Sequence, residues 1–567
     1  MKKLINDPAS VVREMLEGIA RRTPHVALLG DENVLVLRAQ TEAADRPVAV
    51  ISGGGSGHEP AHGGYVGAGM LSAAVCGEVF TSPPTDAVLA AIRATAGPRG
   101  ALLIVKNYTG DRLNFGLAAE LARAEGIPVE TVIVADDVAL RAAPRSHRRG
   151  IAGTVLVHKI TGAAAARGLS LHDVAEIARH AAANLGTMGV ALDGCTLPGV
   201  GKSSFTLADD EIELGLGIHG EKGVERSAPQ PADRLTDTLI ANIVEDIALK
   251  SGERVALLVN GLGATPQMEL DIVLRTAYEN LIARDVRVER AWAGTLLSAL
   301  DMPGCSISLL RVDDAMLELL DASTGARAWP GSGAVNRDLR IGVARQPQPM
   351  PALNGEAERR CAQRIASALQ SVANALISNE ARLTELDSLA GDGDLGASMK
   401  RAGQALRAVP EAALGTPGRA LAALGAALQK AIAGSSGPFY ATALMRASRV
   451  LSASVAPAAD DWAAAFSQAV QAIGDLGGAK AGDRTMLDAL LPAASVFEAA
   501  LSAGQPVADA WASAVSAAEK GADETASMTP RAGRASYLGA RAVGSPDGGA
   551  VAVAIWLAAL KPHIGAR

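Results

Sequence analysis

The hydrophobic period of this chain changes near residue 345, and that change limits its fold more than any other feature. Before it, short β-branched runs recur: PVAVIS, ALLIVKN, VETVIVAD, RVALLVNGLG and CSISLLRV. Each is of strand length and stops at Gly, Asn or Asp. Between them lie PTDAVLAAIRAT and NFGLAAELARAEG, with apolar residues at helical spacing. Strand, loop and helix in alternation predict an α/β part over residues 1–340, with ligands beyond the carboxyl ends of the strands. After the change come RCAQRIASALQSVANALISNEARLTEL, GRALAALGAALQKAIAG and ADDWAAAFSQAVQAIGDLGG, which are Ala- and Leu-rich with little strand signal. They predict an all-α domain over residues 361–567. The Pro-rich, polar segment VARQPQPMPALNGEAERR separates the two and predicts a linker at 341–360.

A chain of 567 residues is too long for one core. Its net charge is −7 and it has no long basic block, which argues against nucleic acid and anionic membrane as partners. The four cysteines, Cys76, Cys195, Cys305 and Cys361, lie far apart. They form no CxxC pair, so a zinc site or disulfide framework is not expected, and a reducing cytoplasm is. The start, MKKLINDPASVVREML, lacks the apolar core of a signal peptide, and no apolar run reaches membrane-spanning length.

Two glycine-rich stretches imitate nucleotide motifs and fail them. In ISGGGSGHEP no G-x-G-x-x-G register fits, because His58 or Pro60 takes the last position. The same stretch fails G-x-S-x-G around Ser56. In TLPGVGKS, Thr196 stands where a P-loop has its first glycine, and no strong strand precedes it.

ELDSLAGDGDLG carries the strongest chemical signal. Asp387, Asp392 and Asp394 follow a helical run across a glycine turn, so three carboxylates can meet at one point. Such groups repel unless a cation neutralises them, and hard oxygen ligands suit magnesium. Calcium is the rival, but the further acids of an EF-hand are missing. Other loops of the helical part fit a nucleotide around that metal: Ser435 and Ser436 in AGSSGP, Lys480 and Arg484 in GAKAGDRTM, and Arg534 in AGRASY. In the α/β part, His58 and His219 lie in glycine loops, with Lys106 and Asp111 in KNYTGD. An imidazole can serve as nucleophile, and a carboxylate or second imidazole as base.

Taken together, ISGGGSGHEPAHGGYVGAGMLSAAVCGEVFTSPP, VKNYTGD, GLGIHGE, LDSLAGDGDLG, GAKAGDRTMLDAL and GRASYLGARA closely resemble the dihydroxyacetone kinases, of the single-chain ATP-dependent type. The resemblance spans nearly the whole chain. It implies two α/β subdomains that bind a small ketose, followed by an all-α barrel of about eight helices that binds ATP and magnesium. It implies that Gly55, Ser56, Gly57, His58, Lys106 and Asp111 contact the ketose. It also implies that His219 adds to the substrate carbonyl as a hemiaminal, with Asp111 or His58 accepting the proton of the attacking hydroxyl.

In the helical part the resemblance implies a pair of magnesium ions on Asp387, Asp392 and Asp394. The implied nucleotide contacts are Leu395, Gly396, Ala397, Ser398, Ser435, Ser436, Gly477, Met486, Arg534, Asp547, Gly548 and Gly549. A homodimer is implied as well. Three positions depart from the family's usual residues: Lys222 and Gly548 stand for Pro, and Ser435 for Thr. Lys222, three residues after His219, bears on which ketose is taken; dihydroxyacetone is the default and erythrulose the rival. A ketose sensor without catalysis, or a relay recharged by a phosphocarrier protein, are the other classes. The intact aspartate triad argues against the first, and the fusion of both parts in one chain argues against the second.

Overall fold

A computed structural model describes residues 2–565, apart from 31, 39–41, 201–202, 343–351, 435, 453–455 and 538 and the side chains of Arg534 and Ala540. Ser435, and Gly201 and Lys202 of the P-loop-like stretch, therefore lie outside the described residues. The chain divides into two compact units, Met1–Ile341 and Gly342–Arg567.

The first unit contains two six-stranded sheets. One is built from β1 (Val26–Leu28), β2 (Val34–Leu37), β3 (Ala49–Ser56), β4 (Ala73–Val79), β5 (Ala101–Lys106) and β6 (Val129–Val134). Its strand order is β1-β2-β4-β3-β5-β6, with β4, β3, β5 and β6 parallel and the β1–β2 hairpin antiparallel at the edge. Alternate side chains of β3 and β5 point to opposite faces. Ile51, Leu103 and Val105 meet α2 (Thr85–Thr95) and α3 (Thr109–Ala124). Val50, Leu102 and Ile104 meet α1 (Val11–Arg22), α4 (Thr154–Ala166) and α5 (Leu171–Ala183). Burial on both faces is why these strands read as continuous apolar runs.

The second sheet is β7 (Leu185–Ala191), β8 (Ile212–Leu214), β9 (Glu225–Ser227), β10 (Arg254–Gly261), β11 (Arg287–Gly294) and β12 (Gly304–Arg311), in the order β11-β10-β12-β7-β8-β9. Only β10 and β11 pair in parallel, and the other neighbours are antiparallel. α6 (Ala232–Asp246) and α7 (Gln267–Ala283) cover one face, and α8 (Asp314–Asp321) joins the core shared with the first sheet.

The second unit is all helix among the described residues: α9 (Gly355–Ser378), α10 (Glu380–Ser388), α11 (Leu395–Arg407), α12 (Pro417–Ala431), α13 (Ser436–Val450), α14 (Ala459–Gly477), α15 (Leu487–Ser502), α16 (Val507–Glu524) and α17 (Gly548–Leu560). Each of α11 to α16 packs on the next, and α17 and α11 both pack on α9, so eight helices close a ring with short α10 beside α11. Small residues permit the close approaches. A Cβ on Gly521 of α16 would stand 2.1 Å from the Asp488 carbonyl of α15. The last residues of the expected linker are helical, because α9 begins at Gly355. Among the described residues no helix is long and apolar enough to cross a membrane.

Candidate functional site

The glycine run after PVAVIS is not a loop. It continues β3 through Ser56, buried throughout. Two of its glycines are required by the protein's own packing. A Cβ on Gly53 would lie 2.2 Å from the Val75 carbonyl oxygen, and one on Gly55 would lie 2.5 Å from the Thr81 amide. Gly54 differs. Its missing Cβ faces the Lys106 ammonium at 3.1 Å and the Asp111 carboxylate at 3.5 Å. Lys106 ends β5, and Asp111 lies in the first turn of α3, so both arrive from the neighbouring strand-to-helix connection.

Segments distant in sequence close this pocket. The backbone of Gly57 and His58 pairs with that of Leu300 and Ser298. The ring of His58 stacks on Phe80 at 5.1 Å, and His219 stands edge-on to His58 at 4.9 Å, to Phe80 at 5.1 Å and to Tyr108 at 4.7 Å. His219 follows β8, so the second sheet brings it to the end of β3.

Hydrogen bonding separates free atoms from engaged ones. Ser56 donates its hydroxyl to the Gly77 carbonyl at 2.7 Å, and the Gly57 amide donates to Glu59 at 3.1 Å. His58 Nδ1 lies 2.8 Å from the Ser298 carbonyl, which can only accept, so Nδ1 carries the hydrogen and Nε2 the lone pair. Among the described residues, the buried atoms without a partner at this site include His58 Nε2, Lys106 Nζ, Asp111 Oδ1 and the Tyr108 hydroxyl. Burial, then the charge of Lys106, then His219, hold His58 well below the usual histidine range, which keeps it neutral. Burial also lowers Lys106, against the opposing pull of Asp111 and Glu221. Glu221 accepts from both the backbone N–H and Nδ1 of His219, each at 2.9 Å. Burial works to raise its pKa, but the bonds and charge from His219 prevail and carry it down to about 2.

In the helical unit Asp387, Asp392 and Asp394 each place one carboxylate oxygen within 4.8 Å of the others. The turn is set by the Asp387 carbonyl, which accepts from Ala390 and Gly391, and by Gly393 at φ 77°. Asp387 Oδ2 also accepts from the Leu395 amide at 3.2 Å, which ties the cluster to the start of α11. Three hard oxygen donors at this separation fit a small divalent cation. The first turn of α11 carries Gly396, Ala397 and Ser398, whose N–H end suits an anion.

Gly548 and Gly549 open α17 nearby. A Cβ on Gly548 would touch the Leu395 side chain at 2.7 Å, and one on Gly549 would lie 3.8 Å from Met486 Cβ. Asp547 caps α17 by accepting from Ala550 at 2.8 Å. Burial, opposed by that bond and by Arg484, raises it to about 6. Gly477, the last residue of α14, lies under the Phe439 ring of α13, where a Cβ would meet it at 2.8 Å. Ser436 begins that same α13.

Two expectations change. Arg484 is not a free cation for phosphate. It is buried, with Nε donating to the Thr525 carbonyl and Nη2 to those of Ala542 and Ser545, holding the segment that leads to Asp547, while Nη1 has no hydrogen-bond partner among the described residues. Ser56 donates its hydroxyl hydrogen to the Gly77 carbonyl, which leaves its oxygen as an acceptor for a ligand. Lys222 is exposed and makes no hydrogen bond or ion pair among the described residues, so its charge is not fixed toward the pocket. Conversely, Phe80, Tyr108, Glu221 and Ser298 belong to the pocket, although the sequence reading did not single them out. Tyr108 lies between two flagged residues and Glu221 two after His219, which was a usable signal. Nothing local to Ser298 pointed to it.

A Dak1 domain matches residues 17–328 and a DAK2 domain residues 389–561. A putative 3,4-dihydroxy-2-butanone kinase of Solanum lycopersicum is 44% identical, covering 98% of this chain and 97% of its own. A triokinase/FMN cyclase of Homo sapiens is 42% identical, covering 99% and 98%. The crystal structure of the dihydroxyacetone kinase of C. freundii in complex with AMP-PNP and Mg2+ aligns with a TM-score of 0.64 at 33% identity, over 99% of each chain.

Proposed function

The chain belongs to the single-chain dihydroxyacetone kinase family, and from that premise we propose that it transfers the terminal phosphate of ATP to a terminal hydroxyl of a small ketose, dihydroxyacetone first. The observation that carries the reading is that Lys106 Nζ, at the bare face of Gly54 beside the Asp111 carboxylate, is buried without a partner, as are Asp111 Oδ1 and His58 Nε2. Lys106 Nζ is a donor for substrate oxygens, while Asp111 Oδ1 and His58 Nε2 are acceptors for the proton of the attacking hydroxyl. His219, edge-on between Tyr108 and Phe80, is the residue that adds to the carbonyl as a hemiaminal. That bond selects ketones: glycerol has similar hydroxyls but no carbon that can accept the imidazole lone pair.

Asp387, Asp392 and Asp394 hold magnesium, read as a pair of ions. Leu395 to Ser398, with Ser435 and Ser436, meet the phosphates. Gly477, Met486, Arg534 and Asp547 to Gly549 line the rest of the nucleotide. Bound magnesium offsets the charge on the transferring phosphate. The close spacing of the three carboxylates supports catalysis over a sensor that only binds ketose. The four unpaired cysteines suit a reducing cytoplasm, and the expected assembly is a homodimer.

The test is ADP release with ATP and magnesium on dihydroxyacetone, D- and L-erythrulose, glyceraldehyde and glycerol, with His219→Ala alongside. Turnover on dihydroxyacetone with none on glycerol, lost in the variant, supports the reading. Much faster turnover on one erythrulose isomer makes the protein a tetrulose kinase. No turnover on any ketose sinks the kinase assignment.

A further inference from the structure

We infer that Glu221 is a positioning residue that selects the reacting nitrogen of His219 and faces the charge formed on its ring, an inference that rests on reading His219 as the residue that adds to the ketose. Its two carboxylate oxygens take two donors from one residue: Oε2 accepts the backbone N–H of His219 and Oε1 accepts Nδ1, each at 2.9 Å. A carboxylate only accepts, so Nδ1 carries the hydrogen and Nε2 presents its lone pair. No described residue bonds Nε2. The rings of His58, Phe80 and Tyr108 stand around the imidazole at 4.7 to 5.1 Å. One nitrogen is left to react, in one orientation.

The carboxylate is itself confined. A Cβ on Gly217 would lie 2.0 Å from Glu221 Oε2 and 2.8 Å from Arg149 Nη1. Arg149 is anchored to Asp137 at 2.6 Å and to the Gly215 carbonyl at 2.7 Å. In the addition, the Nε2 lone pair forms the bond to the carbonyl carbon. The π pair moves to oxygen, and that oxygen takes one proton from solvent. The ring keeps Nδ1–H and one positive charge, opposite a carboxylate already in place. Charge stabilised by a group that need not move is where such a contact acts most strongly.

The variants separate positioning from bulk structure. Glutamine at 221 offers one acceptor to two donors. Aspartate keeps both oxygens one methylene short. Gly217→Ala leaves Glu221 intact but forces its carboxylate aside, at a backbone φ outside the region that excludes side chains.

The experiment is NMR on the full chain with carbonyl-labelled dihydroxyacetone and ring-labelled histidine, alongside steady-state kinetics. In the wild type the ketone resonance gives way to a tetrahedral carbon, and His219 shows a single Nδ1–H tautomer before ligand. Glu221→Gln is expected to mix the tautomers and weaken adduct formation about 10- to 100-fold, as for loss of a charge-assisted hydrogen bond. Glu221→Asp recovers the tautomer and part of the affinity, and Gly217→Ala reproduces the loss. Unchanged tautomer and adduct affinity in Glu221→Gln overturn the inference. A wild type that turns over ketose with no tetrahedral signal overturns the reading of His219 instead, and the two failures are distinct.

Discussion

Asp547 offers a way to separate binding from stability. Its carboxyl is partly buried at the start of α17, and the loss of water around it lifts its pKa from the ordinary 3.8 to about 6, against the Ala550 capping bond and Arg484. A carboxylate raised on folding is a destabilising charge. Below about pH 3.8 it is protonated in both states and costs nothing. As pH rises to about 6 the folded chain holds a proton that the unfolded chain has released, and stability falls. Above about 6 the full cost remains, on the order of 3 kcal/mol at about 1.36 kcal/mol per pKa unit. Asp547→Asn removes the charge yet keeps an oxygen for the Ala550 N–H, since Asn and Asp cap about equally well. The variant should therefore be more stable than the parent at pH 7.5 by up to about 3 kcal/mol, with the difference vanishing near pH 4. Urea unfolding followed by tryptophan fluorescence reads this, because Trp462, Trp511 and Trp556 lie in the helical unit. On the nucleotide role proposed for Asp547, turnover should fall in the same variant. A stability gain over the parent that is no larger at pH 7.5 than at pH 4 refutes the reasoning about burial.

Other substitutions probe the engaged and free atoms directly. Arg484→Met leaves three buried carbonyls without their donor, so the helical unit should lose about 3 kcal/mol or more, measured by urea titration. Ser56→Ala removes the bond to Gly77 and should cost about 1 kcal/mol of stability by the same titration. Lys106→Met removes a donor with no other partner and should abolish ketose binding by calorimetry while the chain stays folded. Asp392→Asn should raise the magnesium concentration for half-maximal activity about tenfold or more, because it neutralises one of the three carboxylates proposed to hold the ion.

Most of the legible strands are buried on both faces. β3, β5, β10 and β12 have apolar residues on both faces and read as continuous apolar runs, whereas the legible edge strand β6 is buried only in part, with Ile133 exposed. β4 and β7 are also buried but rich in Ala and Gly, which carry little strand signal. β11, RVERAWAG, is an edge strand with charges in it, and β8 and β9 have three residues each. The antiparallel pairing of the second sheet could not be read because strand runs do not carry the direction of their neighbours. The aspartate cluster was legible because its members lie within eight residues of one another, across a turn that glycine permits.

The sequence by itself determined the two-part architecture and the chemical equipment: which histidines, lysines and carboxylates are present, and that they stand beside glycines. Both follow from local order, since period and turn chemistry act over a few residues. Only the tertiary structure decided which of those groups are free. His58 has its reactive nitrogen assigned by the carbonyl of Ser298, 240 residues away. Ser56 gives its hydroxyl hydrogen to Gly77, and Arg484 gives donors to three distant carbonyls. A buried polar atom is defined by what remains after every neighbour has taken a share. That remainder is a property of the packed chain and of no single segment.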